Sequence, residues 1–105
     1  MQIDEYQEEA MTYRLSTANS TYALLNLAGE VGETLSLVAK FIRDGHMFPD
    51  EFKKNLEKEL GDVVWMVAAV ANDHGLKMSS ICKTNLDKLE DRQQRNVLKG
   101  SGDNR

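Results

Sequence analysis

Cysteine and proline each occur once in the 105 residues, at Cys82 and Pro49. A single cysteine can build neither an intramolecular disulfide nor a cysteine-based zinc site. The scarcity of proline leaves room for long helices, because proline breaks a helix interior. Strand signals are nearly absent too. Long apolar runs are lacking: the longest, Val63–Ala71, spans 9 residues, against the roughly 20 needed to cross a membrane. No membrane partner is expected. Excess positive charge is missing as well, since the formal net charge is −4. That argues against a nucleic-acid partner, which calls for a basic patch over the phosphates. The start of the chain, MQIDEYQEEA, is polar and acidic and does not read as a secretory signal. A reducing, cytoplasmic setting is the expectation.

What remains is a chain suited to one small all-α domain. Its apolar residues recur at helical spacing in four segments. The first helix is expected over about Asp4–Leu15, with Asp4 and Gln7 spaced as a capping box. The second runs over about Thr21–Arg43, capped by Asn19 or Ser20, with Leu24, Leu27, Val31, Leu35, Val38 and Ile42 in a three-to-four rhythm. A loop at Asp44–Pro49 leads to a third helix at about Asp50–Asn72, closed by Gly75. Its second half, VVWMVAAVA, is apolar on every side and should be the most enclosed part of the fold. The fourth helix starts near Ser79 or Ser80 and ends near Val97. Short connections suggest an antiparallel four-helix bundle over residues 1–98, with 99–105 as a tail. A domain this small buries a modest core. The apolar third helix would keep a face, Trp65 included, for a second copy, so a homodimer or dimer of dimers is expected.

Two pairs of acids stand where core residues would be expected. Glu30 and Glu33 share a face of the second helix with Leu27, Thr34 and Leu37; Glu59 and Asp62 share one of the third with Leu56, Val63 and Met66. Buried carboxylates without partners are costly. Four of them converging would repel one another unless a cation lay between. All-oxygen donors favour Mg²⁺, Mn²⁺ or Ca²⁺ over zinc. Gly29, Gly32 and Gly61 flank the same acids, each costing about 1 kcal/mol relative to alanine inside a helix. Cations suited to gripping phosphates are Lys40 and, on one face of the fourth helix, Lys88, Arg92 and Arg95. Surface pairing with Asp87, Glu90 and Asp91 is the plainer reading of Arg92 and Arg95 and an equal one for Lys88. Trp65 is expected to pack rather than stack on a ligand, and Cys82 to be a small core residue. His46 and His74 have no visible nucleophile beside them.

The segments LAGEVGE (Leu27–Glu33) and ELGDVVW (Glu59–Trp65) together resemble the E-x-x-E and E-x-x-D motifs of the MazG-like nucleotide pyrophosphohydrolases, in the all-α NTP pyrophosphatase superfamily. NLDKLEDRQQR (Asn85–Arg95) and KGSGDNR (Lys99–Arg105) look like the end of the small, often phage-type members. The resemblance implies a catalytic Mg²⁺ site, with Mn²⁺ as a possible substitute, held by Glu30, Glu33, Glu59 and Asp62. It implies cleavage of a nucleoside triphosphate between the α- and β-phosphates, in clearance of unwanted nucleotides, and a nucleotide-facing Asn85. The chain departs from the pattern at Gly29, where many members have an acid, at Met66, where relatives often have tyrosine, and at Asn96, where they often have glycine. Two alternatives are a non-catalytic helical assembly module and a phosphoribosyl-ATP pyrophosphohydrolase; DVVWM lacks the Tyr-His pair usual in the latter.

Overall fold

The computed structural model describes residues 1–45 and 49–105. Residues 46–48 lie outside the described residues, and with them His46 and part of the loop expected over Asp44–Pro49. Four helices follow in order: α1 (Ile3–Thr12), α2 (Ser20–Asp44), α3 (Pro49–Asp73) and α4 (Met78–Gln94). The fold is all-α, and no strand occurs among the described residues.

The ends of the helices have local causes. Asn19 Oδ1 accepts the backbone N–H of Tyr22 at 2.9 Å and so starts α2. Gly45 stops it with a left-handed φ of 67°, and Gly75 turns the chain after α3 at φ 68°. Asp50 and Glu51 occupy the first turn of α3, where the helix dipole favours negative charge.

The expected capping box on α1 is absent: Gln2 is the N-cap and makes no side-chain bond. Asp4 and Gln7 instead cap α4, which Ser79 and Ser80 do not. Asp4 accepts from Ser79 N at 2.9 Å and from Ser79 Oγ at 2.6 Å, and those bonds hold its carboxyl below its ordinary pKa. Gln7 is buried, accepts from Met78 N at 2.9 Å and donates to Leu76 O at 2.9 Å. The first-turn donors of α4 thus find their acceptors on another helix. Gln7→Leu leaves both backbone groups without a partner at a cost of about 1–3 kcal/mol. Thermal unfolding is expected to show a Tm lower by at least roughly 4 °C; an unchanged Tm would show that the cap contributes nothing.

Packing is most extensive between α2 and α3; α1 lies on α3, and α4 meets α1. The core is made of small side chains: Ala10, Ala23, Ala68, Ala69 and Ala71 are buried together with Met66 and Met78. No large side chain is fully buried among the described residues. The apolar run of α3 does supply the most enclosed positions, yet Val64 stays exposed. Trp65 is half-buried and donates from Nε1 to Ala10 O at 3.1 Å, so it joins α1 to α3 rather than facing outward. Arg14 ties the loop after α1 to the end of α3 through a two-pronged pair with Asp73, at 2.7 and 2.9 Å. Cys82 is exposed, not in the core, because α4 touches the rest of the chain mainly at its start.

The large apolar side chains left outside are the other face of the same fact. Leu24, Val31, Leu35 and Ile42 of α2 are all exposed, Leu35 at 66% and Ile42 at 71%. Their spacing of seven, four and seven puts them in one stripe along the helix. Leu60 and Val64 are exposed on α3.

Candidate functional site

The site lies between α2 and α3, the most closely packed pair of helices. Glu30 and Glu33 come from one α2 face, Glu59 from α3. One carboxylate oxygen from each lies within 4.8 Å of the other two. Asp62, one turn beyond Glu59, is not among these three. It is exposed, lines a cavity with Glu30, and stands near enough to Glu30 and to Tyr6 of α1 to act on the charge of both.

Burial raises the pKa of Glu30, and the charges of Glu33 and Asp62 add to the effect. A hydrogen bond from Asn26 opposes it: Asn26 Nδ2 donates to Glu30 Oε1 at 3.4 Å and to Met66 Sδ at 3.5 Å. Among the described residues no basic side chain contributes to the Glu30 shift. Oε2 of Glu30 and Oε2 of Glu59 are buried and accept no hydrogen bond from the described residues. Native structures rarely leave such atoms unmet unless an ion or water meets them. Converging carboxylates with two unmet buried oxygens form a donor set for a hard divalent cation. The residues therefore fit a metal of the Mg²⁺ class.

The basic residues divide. Lys40 lines a depression with Glu33 and Glu59. The α4 residues stand elsewhere, because α4 packs on α1. Lys88 pairs with Asp103 at 3.2 Å. Arg92 is only 4% exposed and donates to Asp103 O at 2.8 Å. Arg95 bonds Asp91 Oδ2 at 2.9 Å and Arg105 O at 2.6 Å. Asn85 and Lys88 border a separate groove with Ile81 and Thr84. The cations expected to face a substrate thus hold the last residues of their own chain, which fold back on α4. Arg105 completes the arrangement by donating to Val97 O at 3.0 Å and Gly102 O at 2.7 Å.

Sequence reasoning missed Tyr13, Tyr22 and Asn26. They line a cavity of about 280 Å³ together with Glu30, Asp62, Trp65 and Met66. The signal was present for two of them, since Tyr22 and Asn26 precede Glu30 by eight and four residues and so share its helical face. Tyr13 lies beyond α1 and reaches the cavity only through the tertiary fold.

Comparison with known proteins bears on this geometry. Residues 18–97 match the family described as the MazG nucleotide pyrophosphohydrolase domain, a span that contains all four acids. The Gene 37 protein of Mycobacterium phage L5 is 42% identical over 86 residues, covering 81% of this chain and 75% of that protein. The crystal structure of iMazG from Vibrio DAT 722 superposes with a TM-score of 0.59 at 27% identity, covering 90% of this chain and 97% of that one.

Proposed function

The chain belongs to the MazG nucleotide pyrophosphohydrolase family, and from that premise we propose that it cleaves a nucleoside or deoxynucleoside triphosphate to the monophosphate and pyrophosphate in a Mg²⁺-dependent reaction, serving nucleotide-pool sanitation. The observation that carries the proposal is the meeting of three carboxylates between α2 and α3 with two buried oxygens that no donor among the described residues satisfies. Glu30, Glu33 and Glu59 hold the cation, and Asp62, beside Glu30, is the fourth acid. Mn²⁺ is a chemically similar substitute. A divalent ion bound there supplies charge neutralisation of the phosphates, polarisation at the α-phosphorus and easier deprotonation of water.

The protein's own part is orientation. Carboxylates on two packed helices keep a fixed separation, so little reorganisation is needed as charge develops. Lys40, on the rim beside Glu33 and Glu59, neutralises the far end of the triphosphate. Asn85 and Lys88 serve a substrate only if α4 of a second copy approaches the cluster. Arg92 and Arg95 act there by holding the chain end on which Lys88 rests.

A homodimer, or a dimer of dimers, suits the exposed stripe on α2. A stable interface hides about 800 Å² per partner, a tenth of the 7992 Å² surface of this chain. No helix of the described residues is long and apolar enough to cross a membrane.

Incubation with each common nucleoside triphosphate and Mg²⁺ tests the activity. Pyrophosphate is expected in amounts equal to the monophosphate, and chelation of the metal is expected to stop its release. Orthophosphate as the sole phosphate product would refute the assignment.

A further inference from the structure

One wall of the cavity beside the acids is not a helix. Tyr13, Leu15 and Ala18, in the loop from α1 to α2, line it together with Glu30 and Asp62. That loop has little burial of its own. Tyr13 is 73% exposed and Leu15 72%, and Ser16, Thr17 and Asn19 are exposed as well. A segment with so few apolar contacts opens readily unless something ties it down.

Arg14 is that tie. Its Nε donates to Ala18 O at 2.9 Å, which closes the loop on itself. Its Nη1 and Nη2 donate to Asp73 Oδ1 and Oδ2 at 2.7 and 2.9 Å, and Nη1 also reaches Ala69 O at 3.4 Å, so the same guanidinium fastens the loop to α3. The other described hydrogen bonds of residues 13–19 stay within the loop or join it to the adjoining turns of α1 and α2. The side chains of the pair are only 13% and 15% exposed, unlike the solvated surface pairs that contribute little. Lysine is no equivalent here, because it lacks the planar fork that grips a carboxylate on one edge and a carbonyl on another. Arg14 is not among the residues lining the cavity.

We propose that Arg14 is a positioning residue: by holding Ala18 O and Asp73 with one guanidinium, it keeps the α1–α2 loop in place as a wall of the cavity before a substrate arrives. That the cavity takes part in turnover rests on the proposed function; the hold on the loop does not. The acids stand on α2 and α3, so their spacing does not depend on the loop. Loosening the loop makes substrate binding carry the cost of ordering it and leaves the chemical step nearly as it was.

Arg14→Lys keeps a positive charge beside Asp73 and loses the fork. It is expected to raise KM about tenfold, the effect of ordering one or two side chains on binding, with kcat within about twofold of wild type. Asp73→Ala frees the guanidinium from α3 and is expected to move KM in the same direction. The double variant is expected to be no worse than the worse single one, since both act through one contact. Trp65, the one tryptophan in the sequence, lines the same cavity and reads the wall without turnover. Acrylamide quenching of its fluorescence is expected to become steeper in both single variants. A purely structural ion pair would lower Tm and leave KM and quenching as in wild type, and that result overturns the proposal. So does a fall in kcat at unchanged KM. If wild type itself hydrolyses no triphosphate, quenching decides alone. A steeper slope in Arg14→Lys then upholds the hold on the loop and counts only against the pyrophosphohydrolase reading, while an unchanged slope overturns the proposal.

Discussion

Glu59→Gln is expected to lower Mg²⁺-supported turnover by about 10³-fold. A bound divalent ion contributes several kcal/mol of charge stabilisation to phosphate chemistry, and each 1.4 kcal/mol is a factor of ten. Glutamine has nearly the shape of glutamate but lacks its charge, so the change removes a donor without opening a cavity. Glu59 is half-buried and its Oε2 meets no donor among the described residues, so no bond to them is lost there. The metal-free fold is expected to survive. Glu30→Gln is expected to stabilise that metal-free state, because it removes one negative charge from beside Glu33 and Asp62. A gain of about 1 kcal/mol would raise Tm by roughly 4 °C. The two readouts have opposite signs, which a purely structural role for these acids does not produce. Steady-state assays and thermal unfolding on the same preparations check both. Undiminished turnover in Glu59→Gln would remove that residue from the site.

A double substitution Val31→Glu and Leu35→Glu is expected to separate the proposed dimer into monomers. Both side chains are exposed in the single chain and lie in the stripe that Leu24 and Ile42 extend. In the monomer the substitutions meet water and change little. In an isologous dimer each would appear twice, against an apolar surface, at about 2 kcal/mol or more per site. That weakens association by well over about 10²-fold. Light scattering at micromolar concentration is expected to show at least twice the 11.9 kDa chain mass for wild type and the single-chain mass for the variant. A wild-type monomer of full activity would end the dimer proposal.

Helix count and the shared face of each acid pair were legible because both are local, although only Glu30, Glu33 and Glu59 come together and Asp62 stands outside the three. Apolar residues at helical spacing declare a helix wherever it packs, and Glu30–Glu33 and Glu59–Asp62 declare a shared face by being three apart. Asn19, Gly45 and Gly75 act within their own turns. What escaped reading depends on contacts between segments far apart. Asp4 and Gln7 have capping-box spacing, yet their acceptors serve α4, since α1 docks on its first turn. Arg92 looked like a surface cation on a charged helix, but the returning chain end buries it. Cys82 and Trp65 show the same limit: periodicity says that a helix has an apolar face, not which neighbour covers it. For the same reason the outward stripe was expected on the third helix, and the longer one runs along α2.

Hydrolysis in water enriched in heavy oxygen tests the central claim most directly. Attack of water at the α-phosphorus, as proposed, would place the new oxygen on the nucleoside monophosphate. Mass spectrometry of the products is expected to find one label in the monophosphate and none in pyrophosphate. Label found in pyrophosphate, or in orthophosphate, would contradict the account.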